Sequence, residues 1–540
     1  MTGWNYAELW ERIAQKFPDA PCLVHGERIQ SWKQTDQRAN GLAAHLLQQG
    51  AAHQDKLAIY LYNAPEYLET VFACFKASLV PVNTNYRYVD DELAYLWENS
   101  DAIAVVFHAT FTETIERIRD RVPNVRTWIW VDDGSSPCPD WAIDYEQVAV
   151  PSEVRAISEH GRSGDDILMI YTGGTTGMPK GVMWRQDDLI HATCTITVPA
   201  LDASAETSSY SAVVDSIAAP GGAGLPACPL MHGTGWFTAM IYLTAAGSVV
   251  TLVDRKLNVI EILDTIESKG IAMLTIVGDA FAKPILAALD AQPGKWDLSS
   301  LYLMSSSGVM WSEPVKTGLL AHHGAMFLLD AFSSSEAIGL GQSTSTAGSA
   351  SGTAKFQLGT NALVLNDHGQ PVTPGSGERG RVAVRGYTPL GYYKDPAKTA
   401  ATFVTIDGAR YSIPGDFATV EADGSITLLG RGSVCINTGG EKVFPEEVEE
   451  VLKLADGIRD AVVVGVPDDK FGQAIVAVVE AEPACSVNQE QLIAHVKAHL
   501  AHYKAPKRVL AVSTIGRAPN GKVDYKRHTA YAVEQLGISA

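Results

Sequence analysis

The chain has 540 residues, 46% of them hydrophobic and 19% charged, a globular mix long enough for several domains because single cores stop growing near roughly 250–300 residues. A formal charge of −19 leaves no basic surface to release counterions, which argues against nucleic acid and anionic membrane as partners. No long apolar run predicts an integral membrane helix and no basic-then-apolar start predicts a signal peptide. The seven scattered cysteines, without metal-type spacing, read as reduced thiols of a cytoplasmic protein.

The first 130 residues alternate between two periods. Tyr6 to Lys16 is predicted as an amphipathic helix. Ser31 caps a second helix, with Leu42, Leu46 and Leu47 inward and Gly50 just past its end. Strands at Leu57–Leu61, Val80–Val82, Ala104–Phe107 and Thr127–Trp130 are separated by helices at Tyr67–Lys76, Asp90–Glu98 and Thr112–Arg121. That order predicts right-handed βαβ units and a parallel, helix-covered sheet. Residues 137–164 are polar and turn-rich, a connector.

The connector leads into a short apolar strand, Ile167 to Ile170, and then into Tyr171-Thr172-Gly173-Gly174-Thr175-Thr176-Gly177-Met178-Pro179-Lys180-Gly181. Glycines let a backbone approach a ligand closely. Successive N–H groups can then hold an anion, with the threonine hydroxyls and the Lys180 charge added, so the loop suits a polyphosphate. It is not a Walker A loop, because Lys180 is followed by Gly181 where that motif needs a metal-reaching Ser or Thr. The stretch resembles the phosphate-binding signature of the adenylate-forming superfamily: acyl-CoA synthetases, luciferases and peptide-synthetase adenylation domains.

The later motifs follow in that family's order. Residues 203–219, rich in Ser and Ala with little periodicity, read as a mobile surface segment. Pro229-Leu230-Met231-His232 matches the Pro-Leu-x-His motif. On physical grounds alone His232 reads as a structural histidine; the resemblance places it at an acyl pocket with Trp236 and Met310, in a supporting role without acid–base chemistry. A βαβ pattern resumes at Ser248–Leu252, Ile260–Lys269, Met273–Val277 and Phe281–Leu289. The strand Leu301–Met304 is expected to open into a small-residue loop, Ser305 to Val309, which the family uses for adenine, here through Ser307 and Gly308. In Asp330-Ala331-Phe332-Ser333-Ser334-Ser335-Glu336 the aromatic, the hydroxyl of Ser335 and the acid survive, while Ser333 replaces a glycine. Asp330, Phe332 and Ser335 are assigned to the nucleotide, and Glu336 to Mg²⁺, which binds one or two carboxylates plus phosphate oxygens.

Gly377-Glu378 and 386–393 match the family's small β-subdomain. Asp416 follows Gly415, with Pro414 where the family has threonine, and Arg431 comes fifteen residues on; together they are expected on the ribose and phosphate. A domain boundary is placed after Arg431, giving an N-terminal adenylation domain over 1–431 and a small mobile α+β domain over 432–540, with Ser433 as hinge. The second domain carries Gly439 and Gly440, assigned to coenzyme A, and a helix whose acidic residues Glu446, Glu447, Glu449 and Glu450 read as its solvated face. Lys522 lies in Pro519-Asn520-Gly521-Lys522, similar to the family's terminal Pro-x-x-Gly-Lys.

The resemblance therefore implies an α/β fold: a large domain of helix-covered, mostly parallel sheets with a small β-subdomain, then the small C-terminal domain. It implies an ATP-dependent acyl-CoA ligase. The acid attacks the α-phosphorus, Lys522 steadies the charge, Glu336 with Mg²⁺ and the Thr172–Lys180 loop hold the pyrophosphate, and the small domain then rotates for transfer to coenzyme A. Gly-Arg-Gly-Ser followed by Ile-Asn-Thr-Gly-Gly-Glu-Lys is closest in look to bacterial fatty-acid and steroid-side-chain CoA ligases. An adenylating enzyme with another acceptor, a luciferase-like oxidase and a non-catalytic acyl-adenylate-binding protein are the alternatives. The acid's identity and the oligomeric state, a homodimer included, are left open.

Overall fold

The computed structural model describes residues 3–538 except 173–177, 204–207, 439–440, 469–470 and 519–520; for Ser433 and Lys442 it describes the backbone alone. The fold is mixed α/β and divides into two compact units, Met1–Thr353 with Val384–Ser412, and Ala354–Ala383 with Ile413–Ala540. Among the described residues no helix is long and apolar enough to cross a membrane.

The first unit is built as its periodicity predicts. Asn5 caps the helix Tyr6–Lys16 by accepting from the N–H groups of Ala7 and Glu8, and Ser31 with Gln34 forms a capping box on Trp32–Gln48. Strands Lys56–Tyr60, Val80–Asn83, Ala102–His108 and Thr127–Val131 run parallel, with Ile167–Thr172 beside Val80–Asn83. A second mainly parallel set contains Ser248–Thr251, Ala223–Pro226, Ile271–Ile276, Leu303–Ser307 and Phe327–Ser334 in spatial order. Strands covered by helices on both faces bury every residue, as Val80–Asn83 and Thr127–Val131 do.

Four features depart from the sequence reading. An unforeseen hairpin, Pro21–His25 with Arg28–Ser31, turns at Gly26 and adds to the parallel Ser248–Thr251 strand. The 203–219 segment is not merely a surface stretch in its described part: Ser209 caps a helix Tyr210–Asp215 that buries Tyr210, Val213 and Val214. The Tyr210 hydroxyl donates to Gly3 O and accepts from Asn5 N–H. Ser305–Ser307 are still strand, so the small-residue turn begins at Gly308. Gly391–Tyr392 pairs with Lys180–Arg185 in the sheet of the phosphate loop, so this part of the 386–393 segment is no part of a separate β-subdomain.

The second unit begins with antiparallel strands, of which Asp416–Val420 and Ser425–Arg431 form the longest pair. Its later sheet orders Glu441–Val443, Ile436–Thr438, Gly472–Ala481 and Ile458–Asp468, with Arg508–Val512 parallel to Gly472–Ala481. Alternation sends Ala461, Val463 and Ala477 to a core with helices Pro445–Lys453 and Gln489–His499. Val462, Val464 and Val476 face the other way, onto a C-terminal helix Tyr525–Leu536 that the sequence reading did not include.

Candidate functional site

The phosphate-loop stretch begins where Ile167–Thr172 ends, and Lys180–Arg185 folds back antiparallel on it, pairing Thr172 with Lys180. Gly173, Gly174, Thr175, Thr176 and Gly177 lie outside the described residues. Buried Asn83 ties the flank together: its Oδ1 accepts from Tyr171 N–H (2.6 Å), and its Nδ2 donates to Tyr171 O (3.0 Å) and Met231 O (2.6 Å). Asn83 thereby fixes the exit of the strand against the segment that carries His232. Asn63 holds the same segment just before Met231, accepting from Leu230 N–H and donating to Cys228 O. Replacing Asn83 by Ala orphans buried backbone groups, and we expect about 3 kcal/mol of destabilisation, seen as a melting temperature several degrees lower. An unchanged melting temperature would deny the clamp.

Across this strand exit lies the turn after Phe327–Ser334. The Trp184 indole N–H donates to Ser335 O at 2.9 Å, and the Ser412 hydroxyl donates to Glu336 O at 2.6 Å. Half-buried Glu336 also accepts on Oε1 from the Tyr392 hydroxyl at 2.8 Å. Three residues beyond Tyr392, Asp395 caps the helix Pro396–Thr402 and ion-pairs with Lys180, a contact that holds its carboxyl below the usual range. One short segment thus braces both Lys180 and Glu336. Neither Tyr392 nor Asp395 had been assigned a role, because each is an ordinary residue until the Gly391–Tyr392 pairing brings it to the loop.

His232 is the N-cap of the helix Gly233–Thr244, and its side chain makes no capping bond. A β-carbon on Gly233 would stand 3.4 Å from Ile170 Cδ1 and 3.6 Å from Ser335 Oγ; one on Gly308, at φ +93°, would stand 3.7 Å from Thr234 Oγ1. The N-terminus of this helix is therefore wedged between the strand exit, the Ser335 turn and the Ser307–Gly308 turn. Its leading N–H groups and positive dipole end suit an anionic or carbonyl ligand. Trp236 is fully buried in the core, edge-on to Tyr67 with ring centroids 6.1 Å apart, and Thr234 faces the Gly308 turn. Met310 is half-buried, and its carbonyl accepts from Asp279 N–H.

Asp330 is also turned inward. Its carboxylate lies 3.2 Å from Lys316 Nζ, both side chains are nearly sealed from solvent, and burial pushes its pKa up to about 6. Phe332, on the same face of the strand, is buried as well. A nucleotide contact from Asp330 has to displace that ion pair, whereas Ser335 and Glu336 sit at the open end of the strand.

In the second unit Asp416 and Arg431 face each other across a strand pair, with Arg431 Nε 3.3 Å from Asp416 Oδ1. Asp416 is buried and the Arg431 side chain is 40% exposed, so a fixed carboxylate is coupled to a guanidinium with freedom to turn. The backbone then makes a single 3₁₀ turn, Gly432–Val434. Gly432 is a close-approach glycine, not a source of freedom: a β-carbon there would sit 2.6 Å from the Phe417 ring. The Ser433 side chain, Gly439 and Gly440 lie outside the described residues. Lys522 is exposed, and its carbonyl accepts from Ala518 N–H. Arg517 pairs with Asp460 at 2.6 Å and donates to Gly521 O at 3.1 Å.

The acidic run on Pro445–Lys453 is not simply a solvated face. Glu449 is 3% exposed and accepts from Val463 N–H and the Tyr525 hydroxyl. Glu447 and Glu450 are ion-paired with Lys504 and Lys453. Only the spacing of Glu446 and Glu449, one helical turn apart beside buried Val448, hinted at this.

A strand of one sheet leading into a Gly/Thr-rich stretch, with a helix N-terminus and the Glu336 turn of the other sheet beside it, is an arrangement suited to nucleotide handling in an α/β fold. The chain matches the family model described as "AMP-binding enzyme" over residues 10–393 and its C-terminal domain over 447–522. It is 39% identical over 533 residues to a Mycolicibacterium smegmatis protein named medium/long-chain-fatty-acid–CoA/3-oxocholest-4-en-26-oate–CoA ligase, covering 97% of this chain and 95% of that one. To the 3-oxocholest-4-en-26-oate–CoA ligase of Rhodococcus rhodochrous it is 37% identical, covering 99% and 96%. Its fold is similar to that of an anthranilate CoA ligase in complex with anthranoyl-AMP, with a TM-score of 0.83 at 20% identity and 99% of each chain covered. The chain belongs to the AMP-binding enzyme family.

Proposed function

We propose that the chain is an AMP-forming acid–CoA ligase that activates an apolar carboxylic acid, a medium- or long-chain fatty acid or a steroid side-chain acid. The observation that carries this reading is the likeness to relatives named for that reaction across nearly the whole of both chains. Glu336 and Lys522, the two charged groups the chemistry needs, are both retained.

A carboxylate is a poor acyl donor, and joining it to AMP gives it a good leaving group. The chain's part is positioning and charge stabilisation. Asp416 accepts from the ribose hydroxyls while Arg431 swings to ribose and phosphate. The Thr172–Lys180 loop holds the β- and γ-phosphates, with Asp395 keeping Lys180 in place until they arrive. The Gly233 helix end and His232 border the acyl group. Glu336 fits Mg²⁺, since Tyr392 occupies one carboxylate oxygen and leaves the other for a cation carried on phosphate, which needs few protein ligands. That ion, when bound, neutralises phosphate charge.

A panel of acids with ATP, followed by pyrophosphate release and then by CoA-thioester formation, tests the reading. If the acid pocket is apolar, each added CH₂ contributes about 0.8 kcal/mol, about fourfold in kcat/KM, so the constants rise from acetate to octanoate and beyond. A preference for acetate, an amino acid or a diacid overturns the substrate class. Pyrophosphate release with no thioester would point to a different acceptor.

A further inference from the structure

Within the acidic run of Pro445–Lys453, Glu446 has no role in either half-reaction as drawn above. Its neighbours Glu447 and Glu450 have lysine partners. Glu446 Oε2 is sealed from solvent and has no hydrogen-bond partner among the described residues. It rests directly on the α-carbon of Gly430, a residue at φ +121° where any β-carbon would collide with it. Phe444, two residues before it, packs on Phe417 with ring centroids 5.3 Å apart, and Phe417 in turn covers Gly432. The start of this helix thus clasps the strand end Gly430–Arg431 immediately before the 432–434 turn.

The groups around the Glu446 carboxyl are mostly acidic. Asp416 faces it from the neighbouring strand, Glu449 from its own helix and the Tyr525 phenol from the C-terminal helix. The Arg431 backbone N–H also faces it, while the Arg431 guanidinium is engaged by Asp416. The cations of this region, Lys453 and Arg517, stand by Glu449 and Asp460. Burial, then repulsion from Glu449, pushes Glu446 up to about 8, and burial pushes Glu449 up as well.

We propose that Glu446 is a positioning residue, a proton-held latch whose neutral carboxyl seats on Gly430 and fixes one orientation about the 432–434 turn, and whose ionisation releases it. The proposal rests on the reading of Ser433 as hinge. Below the ordinary carboxylate range, seated and released forms both carry the proton, and the seat is fully favourable. Between that range and about 8 the seated form keeps a proton that the released form has lost, so the seat weakens about tenfold per pH unit. Above about 8 both are ionised and the dependence ends.

Hydrogen exchange of peptides covering 428–436 and 444–449, corrected for intrinsic rates, reads the latch without substrate. From about pH 6 to about 8 the wild type should lose protection by roughly 10-fold or more, whereas Glu446→Gln, which keeps the shape and cannot ionise, should stay nearly flat. Gly430→Ala removes the seat and should be poorly protected already at the acid end. Identical profiles for the wild type and Glu446→Gln overturn the latch. The ratio of adenylate formation to thioester formation, measured separately, should shift with pH in the wild type relative to Glu446→Gln by a similar factor. Exchange that follows pH while that ratio does not means the clasp exists but the hinge lies elsewhere, which also ends the positioning role.

Discussion

Lys522→Ala is expected to lose roughly 10²-fold or more in acid-dependent pyrophosphate release, the scale of removing one pre-organised charge contact at a developing anion. The lysine is exposed, but the described residues just before it are held. Arg517 is held by Asp460 and binds Gly521 O, and Ala518 N–H donates to Lys522 O. Backbone held at Ala518, Gly521 and Lys522 leaves less entropy to lose when the charge is presented. Only the first half-reaction builds charge at the α-phosphate, so the variant should still convert a supplied acyl-adenylate to its CoA thioester. Equal losses in the two assays would sink this division of labour. Arg517→Ala should give a milder loss of the same kind, because it frees the backbone at Gly521 without removing the charge.

The parts of this site that can be read in the sequence are those whose chemistry is local. A Gly/Thr loop after an apolar strand, an acid at a strand end and an Asp–Arg pair fifteen residues apart each announce a task, and the fold puts Glu336 in the turn after Phe327–Ser334 and Asp416 opposite Arg431. What is lost is long-range. Asn83, Tyr392 and Asp395 act on residues 88, 56 and 215 positions away in sequence, and nothing in their own neighbourhoods marks them. The inward turn of Asp330 depends on Lys316 lying beneath it, and the seat of Trp236 on Tyr67. The C-terminal helix was legible in principle. A strand in which Ala461 to Val464 are all apolar needs cover on both faces, and two helices on one side leave the other bare.

Ser433→Pro should leave adenylate formation largely intact and slow transfer to coenzyme A by at least about tenfold, or about 1.4 kcal/mol in the barrier. The turn at this point is short. Gly432 N–H donates to Gly415 O, Cys435 N–H donates back to Gly432 O, and the Phe417 ring closes over Gly432. Gly432 is thereby pinned on its N-terminal side, so a change of direction falls on the residues after it. Proline at 433 fixes φ near about −65° and restrains the residue before it as well. A hinge needs only to absorb a change in φ/ψ, and serine, which carries no charge, leaves the pivot without an electrostatic preference of its own. That preference then falls to contacts on either side of the turn, Glu446 on Gly430 among them. Unimpaired thioester formation in the proline variant, with adenylation also normal, would move the pivot away from 433.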